Sequence, residues 1–554
     1  MARDTHEVLN QPPPLTGYNV FRSDRALVET LAREAASSAF ADLTPLGERA
    51  GSAQAQEWGR LANEHPPKLR THDRFGHRVD DVEFHPAYHE LMRVAVVNGL
   101  HAAPWTSTDP VAHTARAAKF YVWGQVEAGH GCPISMTYAA IPALRSTAHI
   151  AQLWEPRLAA CEYDPVLRPI DEKSSAICGM AMTEKQGGSD VRANLTRAAF
   201  AERTDLGDAY LLTGHKWFCS APMSDMFLVL AQTDAGLSCF LMPRLLPDGM
   251  RNRIFIQRLK DKLGNRSNAS SEIELDGAWA LLLGEAGRGV QTIVEMVNGT
   301  RLDCINGSAS LMRAALSQAI HHAMYRHTFG KALVDHALMQ NVLADLAVES
   351  EAAMALLLRL ARATDRASGD AREAAIKRLG TAVGKYYVCK RTPVVVGEAL
   401  ECLGGNGYVE ESPMPRLYRE APLNSMWEGS GNINALDVLR ILVKQPEVLD
   451  AFRSEIEPSL DDARMQHAWN SLTAALRDEE AAESRARSVV ERMALLWQAA
   501  LLSRDPYNPA AEVFIDSRIG GRWDRTLGTL EPSQAHKLVV ERAQPAQSVE
   551  YSER

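Results

Sequence analysis

No stretch of about 18 apolar residues occurs in the chain, so no membrane-spanning helix is expected. The opening M-A-R-D-T-H-E-V-L-N-Q-P-P-P-L has no apolar run that could serve as a signal peptide. Cysteine is scarce: the eight (132, 161, 178, 219, 239, 304, 389 and 402) lie far apart and form no C-x-x-C pair. That suits scattered buried thiols in a reducing compartment, the cytoplasm by default, better than a disulfide framework or a zinc site. Positive charge is not in excess either. Against 69 Asp and Glu stand 60 Lys and Arg, a net charge of −9, so nothing global argues for nucleic acid or an anionic membrane. There is no internal repeat and no low-complexity tract. What remains is an ordinary globular composition, 46% hydrophobic and 23% charged, over 554 residues. At roughly 150 residues per domain that is room for three or four domains.

The periodicity changes twice along the chain. Residues 1–180 are rich in Ala, Leu, Arg and Glu, with helical spacing in A-L-V-E-T-L-A-R-E-A-A (26–36). Between 181 and 285 come short apolar or alternating runs separated by turn residues: D-A-Y-L-L-T-G (208–214), M-F-L-V-L-A (226–231), S-C-F-L-M (238–242), R-I-F-I-Q-R (253–258) and S-E-I-E-L-D (271–276). These are strand signals. From 286 to 445 long helical patterns return, as in 337–363, and 446–554 is again mostly helical, with a Gly/Pro-containing insert near 505–523. Helices, a block of strands, then helices is an α+β arrangement, not alternating βαβ units. The glycine clusters G-G-S-D (187–190) and L-G-G-N-G-Y (403–408) lack G-x-G-x-x-G spacing between a strand and a helix, which argues against a Rossmann fold.

Four stretches carry candidate chemistry. In M-A-M-T-E-K-Q-G-G-S-D-V (180–191), the small residues Gly187, Gly188 and Ser189 leave backbone N–H groups open, which suits either a pyrophosphate cradle or a tight turn. In G-H-K-W-F-C-S (214–220), two aromatics precede a hydroxyl, as beside a flat heterocycle or in a half-buried strand. R-H-T-F-G-K (326–331) reads as a helix end with clustered cations and a glycine stop, or as a phosphate contact. In N-S-M-W-E-G-S-G-N (424–432), the carboxylate of Glu428 stands between a Trp and two glycines with no basic residue in the stretch. It is either a surface turn or an acid kept for chemistry.

Together, in this order and spacing, the motifs resemble the acyl-CoA dehydrogenase family. T-E-K-Q-G-G-S-D (183–190), T-G-H-K-W-F-C-S (213–220), D-K-L-G-N-R-S-N (261–268), R-H-T-F-G (326–330), L-A-D-L (343–346), L-G-G-N-G-Y (403–408), and Y-R-E (418–420) with M-W-E-G-S-G (426–431) match that family's motifs. The opening T-H-E-V-L-N-Q-P-P-P-L (5–15), with L-A-N-E-H-P-P-K-L (61–69), D-D-V-E-F-H-P-A-Y-H (80–89) and the stretch 125–134, is similar to its AidB-type branch, the adaptive-response flavoproteins induced by alkylating agents.

The resemblance implies an α+β fold: an N-terminal helical domain (1–180), a β-barrel-like domain (181–285), a four-helix bundle (286–445) and an extra C-terminal helical domain (446–554). It implies FAD between the β-domain and the bundle. Met180, Met182, Thr183, Gly187, Gly188 and Ser189 would hold the flavin and its pyrophosphate. Phe218, Cys219 and Ser220 would lie beside the ring, with the Ser220 hydroxyl near N5. Arg326, Phe329, Gln340, Gly404 and Gly405 would meet the adenosine and pyrophosphate across a dimer interface, and Trp427, Gly429, Ser430 and Asn432 complete the set. Glu428 would be the base that removes the α-proton of an acyl-CoA thioester. The position that carries the base in one other subfamily is Thr300 here, beside Arg301.

The resemblance further implies a homotetramer (a dimer of dimers), weak or vestigial dehydrogenase activity, and double-stranded DNA bound through the C-terminal domain. Residues 441–554 hold 14 Lys and Arg against 19 Asp and Glu, so that domain is not basic overall. Its local clusters are Arg485, Arg487 and Arg492, two of them seven apart on one helix face, and Arg518, Arg522 and Arg525 around a pair of glycines. Each cluster is a candidate DNA contact or a solvated face with internal ion pairs. A working acyl-CoA dehydrogenase with no DNA role is the alternative.

Overall fold

The computed structural model describes residues 5–478 and 480–545; the end of the C-terminal segment, 546–554, lies outside them. Two compact units form, one from residues 54–303 and one from 1–53 together with 304–554.

The first unit opens with nearly all of the helix Ala53–Glu64, followed by a hairpin, β1 (Lys68–His72) and β2 (Arg78–Glu83). The hairpin's turn is an Asx type: Asp73 Oδ1 accepts from the backbone N–H of Phe75 (2.8 Å) and His77 (2.9 Å). Four helices of eleven to fourteen residues follow between Pro86 and Leu158. Then comes a seven-stranded sheet: β3 (Cys178–Ala181), β4 (Arg197–Thr204), β5 (Gly207–Ser220), β6 (Met226–Thr233), β7 (Gly236–Pro243), β8 (Ile254–Leu259) and β9 (Ser270–Leu283). The spatial order is β3-β5-β4-β6-β7-β9-β8, and an additional β5–β9 pairing curls the sheet back on itself. All five apolar runs picked out in the sequence fall on strands β5 to β9. Their inward residues, among them Leu212, Cys219, Phe227, Val229, Phe240, Ile256 and Ile273, make one core.

The second unit is helical. Ala337–Arg366 and Ala371–Glu401 pack side by side, Gly431–Lys444 lies against the second, and the Cys389 thiol of that helix donates to the Cys304 carbonyl (3.4 Å) of Gly289–Tyr325. The helix Ala337–Arg366 is buried on nearly every side from Leu343 to Ala363. A helix buried all round must satisfy its charges internally. Arg359 does so through Glu373 (2.8 Å) and Glu455 (2.8 Å), the latter on the C-terminal helix Glu447–Ile456. Among the described residues the later C-terminal α-helices are Ala463–Leu476, Ala482–Leu502, Pro509–Phe514 and Ala535–Ala543, and a π-turn covers Ile515–Ile519. No helix among the described residues is long and apolar enough to cross a membrane.

Candidate functional site

Glu428 is half-buried and sits in left-handed backbone, φ +56°, followed by Gly429 at φ +93°. For a residue with a Cβ that conformation costs about 1 kcal/mol, and it persists only where surroundings enforce it. They do so here through main-chain carbonyls. Asn434, on the first turns of the next helix, donates from Nδ2 to the carbonyls of Gly429 (2.6 Å) and Ser430 (3.1 Å). Lys385, fully buried on the neighbouring bundle helix, donates from Nζ to the carbonyls of Asn424 (2.5 Å) and Gly429 (3.3 Å). Trp427 Nε1 donates to Asn424 Oδ1 (2.9 Å). An acid flanked only by neutral residues in sequence therefore stands on a loop held from below by an ammonium. Lys385 escaped the sequence reading because it lies 39 to 44 residues from the carbonyls it binds.

The helix Gly431–Lys444 starts at that loop, with Ser430 at its N-cap and Asn432 in its first turn. A Cβ on Gly431 would stand 3.0 Å from Lys390 Cε and 3.6 Å from Arg487 Nη2, so the glycine lets two cations close on the helix's positive end. Burial and the Arg487 charge both push the Lys390 pKa down. Cations at a helix N-terminus oppose the helix dipole, and an anion is what such a place favours.

In the β-domain, Met180 pairs with Ser220 across β3 and β5. The β5–β9 register shifts between Lys216 and Cys219, a bulge that re-aims Trp217 and Phe218. Phe218 is 48% exposed, and Ser220, two residues on, is half-buried, while Cys219 points into the sheet core. Burial pushes the Cys219 thiol up to about 12. The expectation that Cys219 lies beside a flavin ring is thus corrected for its side chain, which faces away from Phe218 and Ser220. The Lys260 ammonium lies 3.3 Å from the Trp217 ring centroid and 4.7 Å from that of Phe218.

The loop after β3 is stiffened by Glu184. This buried carboxylate accepts from the backbone N–H of Leu195 (2.6 Å) and Thr196 (3.2 Å), from Gln186 Nε2 (2.7 Å) and from Lys216 Nζ (2.7 Å). Desolvation opposes its charge, yet the Lys216 and Thr196 contacts outweigh it and bring the pKa down to about 2. Met182 and Thr183 are half-buried and give up their carbonyls to Asn194 Nδ2 (2.9 Å) and the Trp217 N–H (2.8 Å). Gly187 is buried and packs against the Asp190 carbonyl, whereas Gly188 and Ser189 are exposed.

Arg326 does not end a helix at a glycine stop, as the sequence suggests. The helix ends at Tyr325, and a small hairpin follows: β10 (His327–Thr328), Phe329–Gly330, β11 (Lys331–Ala332). Phe329 (φ +49°) and Gly330 (φ +84°) form the two-residue tip, both left-handed as a primed hairpin turn requires. The Phe329 ring is 98% exposed. Gln340, on the first turn of Ala337–Arg366, is half-buried. Gly404, at φ +59° and ψ −141°, occupies a region closed to residues with a Cβ, and nothing lies within 4 Å of a Cβ placed on Gly404 or Gly405. Their backbone is open to a close ligand.

The two C-terminal arginine clusters part company. Arg485, Arg487 and Arg492 are exposed on the helix Ala482–Leu502; Arg485 pairs with Asp478, and Arg492 donates to the Ser471 hydroxyl (3.2 Å). Arg522, 67% exposed with Asp516 at 3.7 Å, and Arg525 are also on the surface. Arg518 is not. The π-turn swings its guanidinium, 2% exposed, into the bundle, where it pairs with Asp345 and with Glu349 (2.9 Å). Trp523 caps the cluster at 4.2 Å and donates to Asp345 Oδ2 (3.1 Å). Arg518 as a DNA contact is therefore corrected: its charge is spent on internal carboxylates.

Comparison with known proteins agrees with this architecture. Residues 10–165 match the adaptive response protein AidB N-terminal domain, 179–278 the acyl-CoA dehydrogenase middle domain and 287–443 the acyl-CoA dehydrogenase C-terminal domain. The chain belongs to the acyl-CoA dehydrogenase family, whose members bind FAD. Within that family it is AidB-like: AidB of Escherichia coli (strain K12) is 48% identical over 529 residues, 94% of this chain and 96% of that one. Acyl-CoA dehydrogenase family member 11 of Caenorhabditis elegans is 32% identical, covering 83% of this chain and 78% of its own. Among solved structures, the apo-form of Bd2924 superposes with a TM-score of 0.82 at 29% identity, covering 89% of this chain and 99% of that one. Caenorhabditis elegans ACDH-11 in complex with C11-CoA gives 0.81 at 28% identity, covering 100% and 95%.

Proposed function

We propose that this protein is an FAD-containing flavoprotein of the response to DNA alkylation, which binds double-stranded DNA and protects it, and which retains the dehydrogenase site built around Glu428. The observation that carries the proposal is the likeness to AidB over nearly the whole chain, the N-terminal and C-terminal additions included.

The residues suit FAD. An exposed aromatic (Phe218) beside a hydroxyl (Ser220) and a thioether (Met180) suits a flat, hydrogen-bonding ring, and the open Gly404–Gly405 backbone suits a pyrophosphate. Arg326, Phe329 and Gln340 would serve the pyrophosphate and the adenosine. Bound FAD supplies a two-electron acceptor. Glu428 would take the α-proton of an acyl-CoA and hold it as the protonated acid. The strained loop fixes where that carboxylate stands. Glu428→Gln should lower the rate of flavin bleaching by an acyl-CoA by about 10²–10⁴-fold, the usual span for a lost general base. Unchanged bleaching would remove Glu428 from that role.

For DNA, Arg487 and Lys390 at the head of Gly431–Lys444, with Arg485, Arg492, Arg522 and Arg525, are the surface cations offered to phosphates. Titrating the yellow protein with fluorescent double-stranded DNA at several salt concentrations tests this: affinity should fall steeply with salt. Absence of binding at low salt would leave the second reading, an acyl-CoA dehydrogenase with no DNA role, which the acidic balance of residues 441–554 favours. Exposed Phe329, Leu338 and Tyr408 on the helical unit support self-association, in the family manner as a dimer of dimers. Light scattering of the purified protein would count the subunits.

A further inference from the structure

The opening motif T-H-E-V-L-N-Q-P-P-P-L (5–15) has no part in the chemistry described so far, yet residues 10–13 are tied down in detail. Asn10 adopts left-handed backbone, φ +57°, a conformation that Asn tolerates better than most residues. Its carboxamide makes two bonds to the main chain of one residue: Nδ2 donates to the His327 carbonyl (2.7 Å), and Oδ1 accepts from the His327 N–H (2.7 Å). The side chain thus imitates a ladder pair on strand β10. Asn10's own carbonyl accepts from Arg326 Nη1 (2.6 Å). The Pro13 carbonyl accepts from His321 Nε2 (2.8 Å), and Gln11 Oε1 from Asn406 Nδ2 (3.2 Å).

These contacts converge on two places: the Arg326–Gly330 hairpin and the 404–407 glycine loop. Ordering a terminal segment costs about 1–2 kcal/mol per residue in backbone entropy. The three prolines at 12–14 reduce that cost by restricting the unfolded chain. The choice of acceptor for Arg326 also matters. A guanidinium carries five N–H donors in one plane. Binding one of them to a neutral carbonyl fixes the plane while keeping the full positive charge and further donors for a phosphate; a carboxylate partner would neutralise it.

We infer that Asn10 is a positioning residue for Arg326, so that the segment around residues 10–13 is a built part of the place that binds the pyrophosphate bridge of a dinucleotide. The inference rests on the assignment of Arg326 and Phe329 to FAD made above. It also gives residues 10–13 a task in the chemistry of the site.

The test compares FAD affinity, by flavin fluorescence on reconstitution of full-length apoprotein, across Arg326→Ala, Asn10→Ala, Asn10→Gly and the double variant Asn10→Ala/Arg326→Ala. Thermal unfolding of each apoprotein is the control for folding. Asn10→Ala removes the His327 pair and should weaken FAD binding roughly tenfold, the worth of one or two net hydrogen bonds. Asn10→Gly keeps the left-handed backbone and the carbonyl offered to Arg326, and should weaken binding less. The double variant should bind FAD no more weakly than Arg326→Ala alone, with the apoprotein midpoints unchanged. Weakened binding in Arg326→Ala but not in Asn10→Ala would overturn the positioning role while leaving Arg326 on the cofactor. Additive losses in the double variant would also overturn it, because Asn10 would then act without Arg326. Full affinity in Arg326→Ala would remove both the positioning role and the assignment beneath it.

Discussion

Two arginine clusters in the C-terminal segment look interchangeable when read as S-R-A-R-S-V-V-E-R and S-R-I-G-G-R-W-D-R. Folding treats them oppositely. The first stays on a solvated helix face. In the second, Arg518 enters the bundle between two carboxylates, while Arg522 and Arg525 remain outside. The difference lies in what the rest of the chain places opposite. Asp345 and Glu349, one helical turn apart on a helix buried all round, must meet cations, and Arg518 and Arg391 are the ones delivered. An arginine cluster is a nucleic-acid signal only after internal carboxylates have taken their share.

The sharpest way to break this comparison is Arg518→Met. It leaves Asp345 and Glu349 buried with less compensation, and losing one partner of a buried pair costs about 3–5 kcal/mol. The urea midpoint should fall clearly; an unchanged midpoint would mean that the cluster does not hold the segment on the bundle. Acid is the next lever. Desolvation works against the Glu349 carboxylate, but Arg391 and Arg518 outweigh it and bring its pKa from 4.5 down to about 2. Because the folded value is the lower one, this stabilisation is complete above about pH 4.5 and is lost as pH falls toward about 2. The wild type should therefore lose stability across that window, and Arg518→Met should lose less. The smallest effect on stability, within about 0.5 kcal/mol per site, is expected for Arg485→Ala, Arg487→Ala and Arg492→Ala combined. That triple variant should nevertheless flatten the salt dependence of DNA binding; retention of the wild-type slope would take these side chains off the phosphate contacts.

Much of the fold is legible in sequence because it follows from periodicity. The five apolar runs between 208 and 276 all lie on strands, and 337–363 lies within one helix. Glu428 is visible for the same local reason, an acid among glycines. What stays hidden depends on distance or on a one-residue change of register. Lys385 is a helix residue like any other until the loop at 424–429 closes over it. The bulge between Lys216 and Cys219 decides which of W-F-C-S faces outward, and no composition rule predicts it. The F-G of R-H-T-F-G suits a helix stop and a hairpin tip equally; the positive φ at Phe329 marks the hairpin. The π-turn hides Arg518 by a single extra residue in a helical turn.

The helical unit is assembled from both ends of the chain, and this has a consequence in time. Asp24 pairs with Arg313 (3.2 Å), and Glu29 pairs with Arg542 (2.6 Å), which also holds Glu351 (3.0 Å). During synthesis, residues 54–303 emerge as one continuous stretch and can fold as soon as they are clear of the ribosome. The first helix, Arg25–Arg33, leaves the ribosome before all of them, yet Glu29 meets its partner some five hundred residues later. Its apolar face, with Leu27 and Leu31 fully buried in the finished protein, stays uncovered for most of translation. A segment made well before its partner is among the last to be completed, and that interval is when a nascent-chain chaperone has most to do.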